Sequence, residues 1–286
     1  MSTRNNEDRF GSFESDAAPA ASTTQTQTNP LEFATPTDMV ELPSKGKFYP
    51  EGHVLHNAES VELRYMTAKD EDILVNRSLI KKGVVLDRLL QSVLVNKKIN
   101  IEDLLIGDKN AMLVSARITG YGSDYATRVP CPSCGTISDH VFDLEEALEA
   151  SNASQGDTTF AEQTERGTFL ITLPKTGVSV EVRPLTGKDE KAILKTNTMR
   201  QKNKMPELGL TDQMKMYIVS VNGEEDGAVI SNLVDNMPAI DSRHLRTSYS
   251  EAIPSVDLAQ HFECPECTYE QEMEVPFTSE FFWPKR

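Results

Sequence analysis

All four cysteines of the chain sit in two short pairs, Cys131-Pro132-Ser133-Cys134 and Cys264-Pro265-Glu266-Cys267. A Cys-Pro-x-Cys turn aims two sulfurs at one point. Two such turns supply the four thiolates that tetrahedral zinc takes in closed structural sites. The pairs lie more than a hundred residues apart, far outside the ligand spacing of a small zinc finger. One zinc shared by Cys131, Cys134, Cys264 and Cys267 would clamp the middle of the chain to its end. Four thiolates leave no open coordination position, so the expected role is structural, not catalytic. Two rivals use the same residues. His140 or His261 could complete separate two-cysteine sites, each still short of a ligand. A CxxC pair could instead cycle between thiol and disulfide, although proline directly after the first cysteine suits a structural turn as well.

Each turn needs strands to hold it. Tyr125–Val129 and His140–Phe142 flank the first; His261–Glu263 and Glu270–Val275 flank the second. Each is short and apolar or alternating, as strands are, so each cysteine pair reads as the turn of a β-hairpin, one half of a zinc ribbon.

The two hairpins belong to a longer repetition. Val61-Glu62-Leu63-Arg64-Tyr65-Met66-Thr67-Ala68-Lys69-Asp70-Glu71 aligns with Val180-Glu181-Val182-Arg183-Pro184-Leu185-Thr186-Gly187-Lys188-Asp189-Glu190, identical at seven of eleven positions. Leu42-Pro43-Ser44-Lys45-Gly46 upstream is echoed by Leu173-Pro174-Lys175-Thr176-Gly177. Three echoes in one order imply two similar α+β halves, residues 37–150 and 166–286, each a β-hairpin, then helices, then a CPxC hairpin. Residues 151–165 have linker composition. Residues 1–36 are rich in Ser, Thr, Gln and Ala and offer little apolar surface to offset ordering entropy, which predicts a flexible polar tail.

Thr67-x-x-Asp70 and Thr186-x-x-Asp189 form capping boxes that start a helix in each half, so these aspartates are expected to cap and not to catalyse. Leu86, Leu89, Leu90, Val93 and Leu94 recur at helical spacing, as do Met112, Val114 and Ile118, and Met214, Tyr217, Ile218 and Val221. Gly120-Tyr121-Gly122-Ser123 suits a helix exit better than a phosphate cradle. The aromatic run Phe281-Phe282-Trp283 needs burial and is expected to pack on its own half as a last strand, with docking into a neighbouring subunit as the alternative.

Bulk properties narrow the function. A formal net charge of −15 over 286 residues disfavours broad nucleic-acid binding. No apolar run of the roughly 20 residues needed to cross a membrane occurs, and the first thirty residues lack an export-signal core, so neither membrane nor disulfide framework is expected. No phosphate loop, GxSxG elbow or HExxH motif is present.

The segments Leu42-Pro43-Ser44-Lys45-Gly46-Lys47-Phe48-Tyr49-Pro50 and Leu63-Arg64-Tyr65-Met66-Thr67-Ala68-Lys69-Asp70-Glu71-Asp72-Ile73-Leu74, with the CPxC turn, resemble the baseplate hub and hub-assembly proteins of T-even-type tailed phages. The resemblance is best over residues 38–148 and weaker in the second half; the long polar leader and the chain length depart from it. It implies a non-enzymatic structural or assembly protein, with other baseplate and tail proteins as partners. Its place would be the virion tail or the host cytoplasm during assembly, and homo-oligomerisation would be compatible with that role. Two other readings stay open: a zinc-ribbon nucleic-acid accessory factor, and a thiol oxidoreductase or metalloenzyme.

Overall fold

The computed structural model describes residues 35–154, 161–164, 166–275 and 281–282. Most of the polar tail and the middle of the expected linker lie outside them. It is a mixed α+β structure with small antiparallel sheets.

The described chain opens with β1 (Thr37–Glu41) paired to β2 (Ser60–Arg64). Helices α1 (Ala68–Leu74), α2 (Arg77–Lys82) and α3 (Val85–Val93) follow. After α3, Leu94 bridges back to Leu63 of β2. A 3-10 turn, Ile101–Asp103, leads into α4 (Ile106–Tyr121). The hairpin β3 (Asp124–Pro130) and β4 (Ile137–Asp143) comes next, then α5 (Leu144–Ser154).

The second part contains a four-stranded antiparallel sheet in the order β5 (Glu162–Gln163), β6 (Phe169–Thr172), β7 (Ser179–Val182), β8 (Ile218–Val221). Helices α6 (Gly187–Lys202) and α7 (Leu210–Tyr217) lie between β7 and β8. Helices α8 (Gly227–Asn236) and α9 (Ala239–Ala252) precede the last hairpin, β9 (Ala259–Glu263) and β10 (Glu270–Glu274).

Two sequence expectations change. Met214, Tyr217, Ile218 and Val221 do not share one helix: α7 stops at Tyr217, and Ile218-Val219-Ser220-Val221 pairs with β7. This β-branched run meets an open strand edge, which overrides the helical spacing. The expected linker also starts as the end of α5 and includes β5.

The capping boxes form as read. In each half an arginine at the end of the preceding strand or just past it, Arg64 closing β2 and Arg183 following β7, grips the capping aspartate with two nitrogens. Arg64 donates to Asp70 at 2.7 and 2.8 Å, and Arg183 to Asp189 at 2.8 and 2.9 Å. A second buried aspartate receives the Leu-Pro turn. Asp108, in the first turn of α4, accepts from the Ser44 amide and hydroxyl and the Tyr49 hydroxyl. Asp241, in the first turn of α9, accepts from the Lys175 and Thr176 amides. Both sit at helix N-termini, where the helix dipole favours an anion.

Two apolar clusters form the core. One surrounds α4, which is buried on nearly all sides and carries every residue from Ala111 to Arg117 inside. It gathers Leu89, Leu90, Val93, Tyr125 and Phe142, and also Leu258, Phe262, Val275, Phe281 and Phe282 from the far end of the chain. The other lies between the four-stranded sheet and α7, α8 and α9. They meet where Ile106 N donates to Leu185 O and Gly187 N to Leu104 O. Both glycines at this seam are there for room: a Cβ on Gly107 would lie 2.1 Å from Pro254 O, and one on Gly187 2.6 Å from Ile101 O.

The C-terminal aromatics therefore depart from expectation. Phe281 and Phe282 form a turn, not a strand, and pack against the α4 cluster rather than the second half's own cluster. Phe281 meets Tyr125 edge-on at 5.1 Å, and the buried Arg117 donates to its carbonyl at 2.8 Å. Trp283 lies outside the described residues.

Candidate metal centre

The two cysteine turns come together. The β3–β4 hairpin presents Cys131 and Cys134, the β9–β10 hairpin presents Cys264 and Cys267, and the four sulfurs lie within 4.8 Å of one another. Cys131 Sγ is 3.7 Å from Cys267 Sγ, and Cys134 Sγ is 3.8 Å from Cys264 Sγ. A tetrahedral zinc with Zn–S bonds of ~2.3 Å puts its sulfurs about 3.8 Å apart. A disulfide needs about 2.05 Å. The spacing is that of four ligands around one ion.

The turns match in local build. Cys131 N donates to Thr136 O at 2.8 Å, and Cys264 N to Tyr269 O at 2.9 Å. Gly135 N donates to Cys131 O at 2.9 Å, and Thr268 N to Cys264 O at 3.0 Å. The residue after the second cysteine is left-handed in both, Gly135 at φ 73° and Thr268 at φ 52°. The first cysteine of each motif is buried and the second exposed, so the centre has an apolar floor and an open outer face.

Electrostatics also favour a cation. The Thr136 hydroxyl and amide, and then Cys267, hold the Cys134 thiol down at about 6. Cys267 moves the other way. The Tyr269 amide favours its thiolate, but burial and the neighbouring sulfurs outweigh that and push it up to about 12. One thiolate forms easily and then discourages the next, because like charges at this spacing repel. A divalent ion removes the conflict and lets all four sulfurs ionise. The donor set and geometry fit structural zinc.

Neither histidine is needed. The His140 ring packs on Phe142 at 4.5 Å and on Phe262 at 5.4 Å. Burial lowers its pKa, with His261 adding to the effect. His261, Glu263 and Glu270 place three ligand atoms close together on the exposed face of β9–β10, without a buried floor.

Sequence reasoning missed the residues that fasten one hairpin to the other. Gln260 of β9 accepts from Asp143 N at 3.0 Å and donates back to Asp143 O, so its side-chain amide continues the backbone of β4. Only its place in an alternating strand, inward of polar neighbours, could have signalled this. Arg117 is fully buried and holds the Phe281, Gly122 and Asp124 carbonyls; a cation inside an apolar helix was the available signal.

The cysteine centre and the mixed fold place the chain among α+β proteins with a potential four-thiolate metal site. Comparison with protein-family models, curated proteins and solved structures finds no match.

Proposed function

We propose that this protein is a non-enzymatic structural or assembly component of a phage tail baseplate hub. Two duplicated α+β halves are clasped in it by one structural zinc on Cys131, Cys134, Cys264 and Cys267. The observation that carries the proposal is the convergence of four sulfurs from turns 130 and 136 residues apart. The 3.7 and 3.8 Å contacts join sulfurs of opposite motifs, which favours a shared ion over a CxxC redox pair. A closed thiolate site supplies rigidity and no reaction, as a scaffold needs.

The duplication rests on paired detail. Arg64, Thr67 and Asp70 are matched by Arg183, Thr186 and Asp189 in the same bonding pattern. Asp108 precedes Cys131 by 23 residues, and Asp241 precedes Cys264 by 23. In both halves a strand, a capped helix, a return to that strand, a long helix and a CPxC hairpin follow in order. The baseplate role comes from the resemblance of the Leu42–Pro50 and Leu63–Leu74 segments. The acidic surface agrees with it better than with nucleic-acid binding.

Two measurements test the proposal. Elemental analysis of the purified chain should give one zinc per molecule. Quantitative mass spectrometry of purified tails and of tail-assembly intermediates should find the chain in one or both, at fixed copy number in tails for a component and in intermediates alone for a chaperone. Absence from both would remove the baseplate role.

A further inference from the structure

A small cavity lies in the second half, lined by Leu185, Ile193, Leu210, Met214, Tyr217 and Arg246 among others. Its volume is about 210 Å³, below the roughly 300–1,000 Å³ typical of small-molecule sites and on the scale of one large side chain. Its walls are mostly apolar, with Gln213 and Arg246 as the polar exceptions, and one wall carries an anomaly. Tyr217 is 5% exposed, and its buried hydroxyl has no hydrogen-bond partner among the described residues. A buried polar group left unpaired costs about 1–3 kcal/mol, so an arriving hydrogen-bonding group would relieve a standing penalty. Leu210, 57% exposed, leaves the mouth apolar.

The surroundings are basic on an acidic protein. From Lys188 to Lys204, along and just past α6, six Lys and Arg stand against two acids, a local net charge of +4 in a chain of −15. Most of α6 is solvent-exposed. Arg243 and Arg246 lie one turn apart on α9, exposed and without an ion-pair partner among the described residues. An apolar pocket beside exposed cations suits an aromatic anchor carried by an acidic segment.

The chain itself displays such a segment. At the tip of β9–β10, Tyr269 is an exposed aromatic. Around it Glu263, Glu266, Glu270 and Glu272 are all exposed, and no Lys or Arg occurs between residues 251 and 275. We propose that this face pairs with a second copy of the chain, the β9–β10 turn of one molecule seating Tyr269 in the cavity of the next beside Tyr217 and Arg246. Donor and acceptor surfaces differ, so the contact is head-to-tail and closes into a ring or extends as a chain. The inference stands apart from the baseplate reading, because a tail protein that stays monomeric in isolation would leave that reading intact.

Sedimentation velocity of the full, zinc-loaded chain over a wide concentration range, at low and high salt, tests it. Association should rise with concentration, weaken with salt and weaken roughly tenfold or more in either R246E or Y269A. The E266K/E270K pair serves as the hairpin variant if Y269A lowers the zinc content. The decisive arm mixes the pocket variant with the hairpin variant. Each retains one good surface, so the mixture should form dimers but nothing longer. A chain that is monomeric throughout, association untouched by both variants, or a mixture that stays monomeric would each overturn the proposal. So would a monomer that instead shifts a single-stranded oligonucleotide through this face.

Discussion

Removing the metal should loosen the protein without dissolving it, and the structure sets the size of the effect. The ion would join Cys134 to Cys264 across 130 residues of chain. Treated as a cross-link that restricts the unfolded state, a loop of that length contributes about 5 kcal/mol. Apparent zinc affinities in small peptides are larger, about 10–16 kcal/mol, because there the whole fold depends on the ion. Here it does not. Phe262, Leu258 and Val275 are already packed in the α4 cluster, and Gln260 is bonded to Asp143 at both ends. The apo protein should therefore stay folded and lose about 5 kcal/mol, equivalent to a melting temperature about 10–20 °C lower for a domain of this size.

The assay is a calorimetric or circular-dichroism melt of the zinc-loaded chain against the same chain after chelation, with released zinc measured in parallel. C264S should approach the chelated value and add a penalty of its own, since Cys264 is buried and a hydroxyl would enter an apolar floor. C267S, at an exposed ligand, should lose the ion without that addition. A chain that binds one zinc yet melts within a degree or two of its chelated form would refute the cross-link argument even though the site is real.

The two matched turns carry different residues at their left-handed position, Gly135 and Thr268: T268G should raise stability by about 1 kcal/mol by relieving a left-handed non-glycine residue, and G135A should lower it by about as much, both read from denaturant midpoints. R64M should cost about 3 kcal/mol, because it strands Asp70, whose side chain is 1% exposed, and the R64M/D70N double variant should recover part of this; simple additivity in the cycle would contradict the pairing. Burial works against ionisation of Asp189, but Arg183 and Thr186 outweigh it and hold the carboxyl down at about 2, so its contribution is full above pH ~4 and lost as pH falls toward 2; a stability profile flat through that window would disprove the assignment. R117M should cost about 3 kcal/mol by leaving the Phe281, Gly122 and Asp124 carbonyls unpaired, whereas a neutral result would mean that the C-terminal turn is held by its rings alone.

What the sequence made legible follows the range of the forces involved. Capping boxes, turns and the CPxC hairpins are local, set by residues a few positions apart, and Thr67, Thr186 and the strands beside the cysteines lie where their spacing puts them. The end of α7 was not legible, because Ile218 to Val221 satisfy both periods until β7 offers an edge. Nor was the destination of the chain end. Phe281 and Phe282 announce a need for burial but not its address. The address is set by Arg117, a buried cation inside α4 that binds three carbonyls, one of them that of Phe281. The cysteine pairs carry the same lesson in the opposite sense. Two thiol turns cannot satisfy a four-coordinate ion separately, so their chemistry demands a partner across the chain. A long-range contact is readable from sequence where the chemistry of each piece is incomplete in a way that only one other piece can complete. Zinc ligands meet that condition, whereas apolar side chains accept any apolar neighbour.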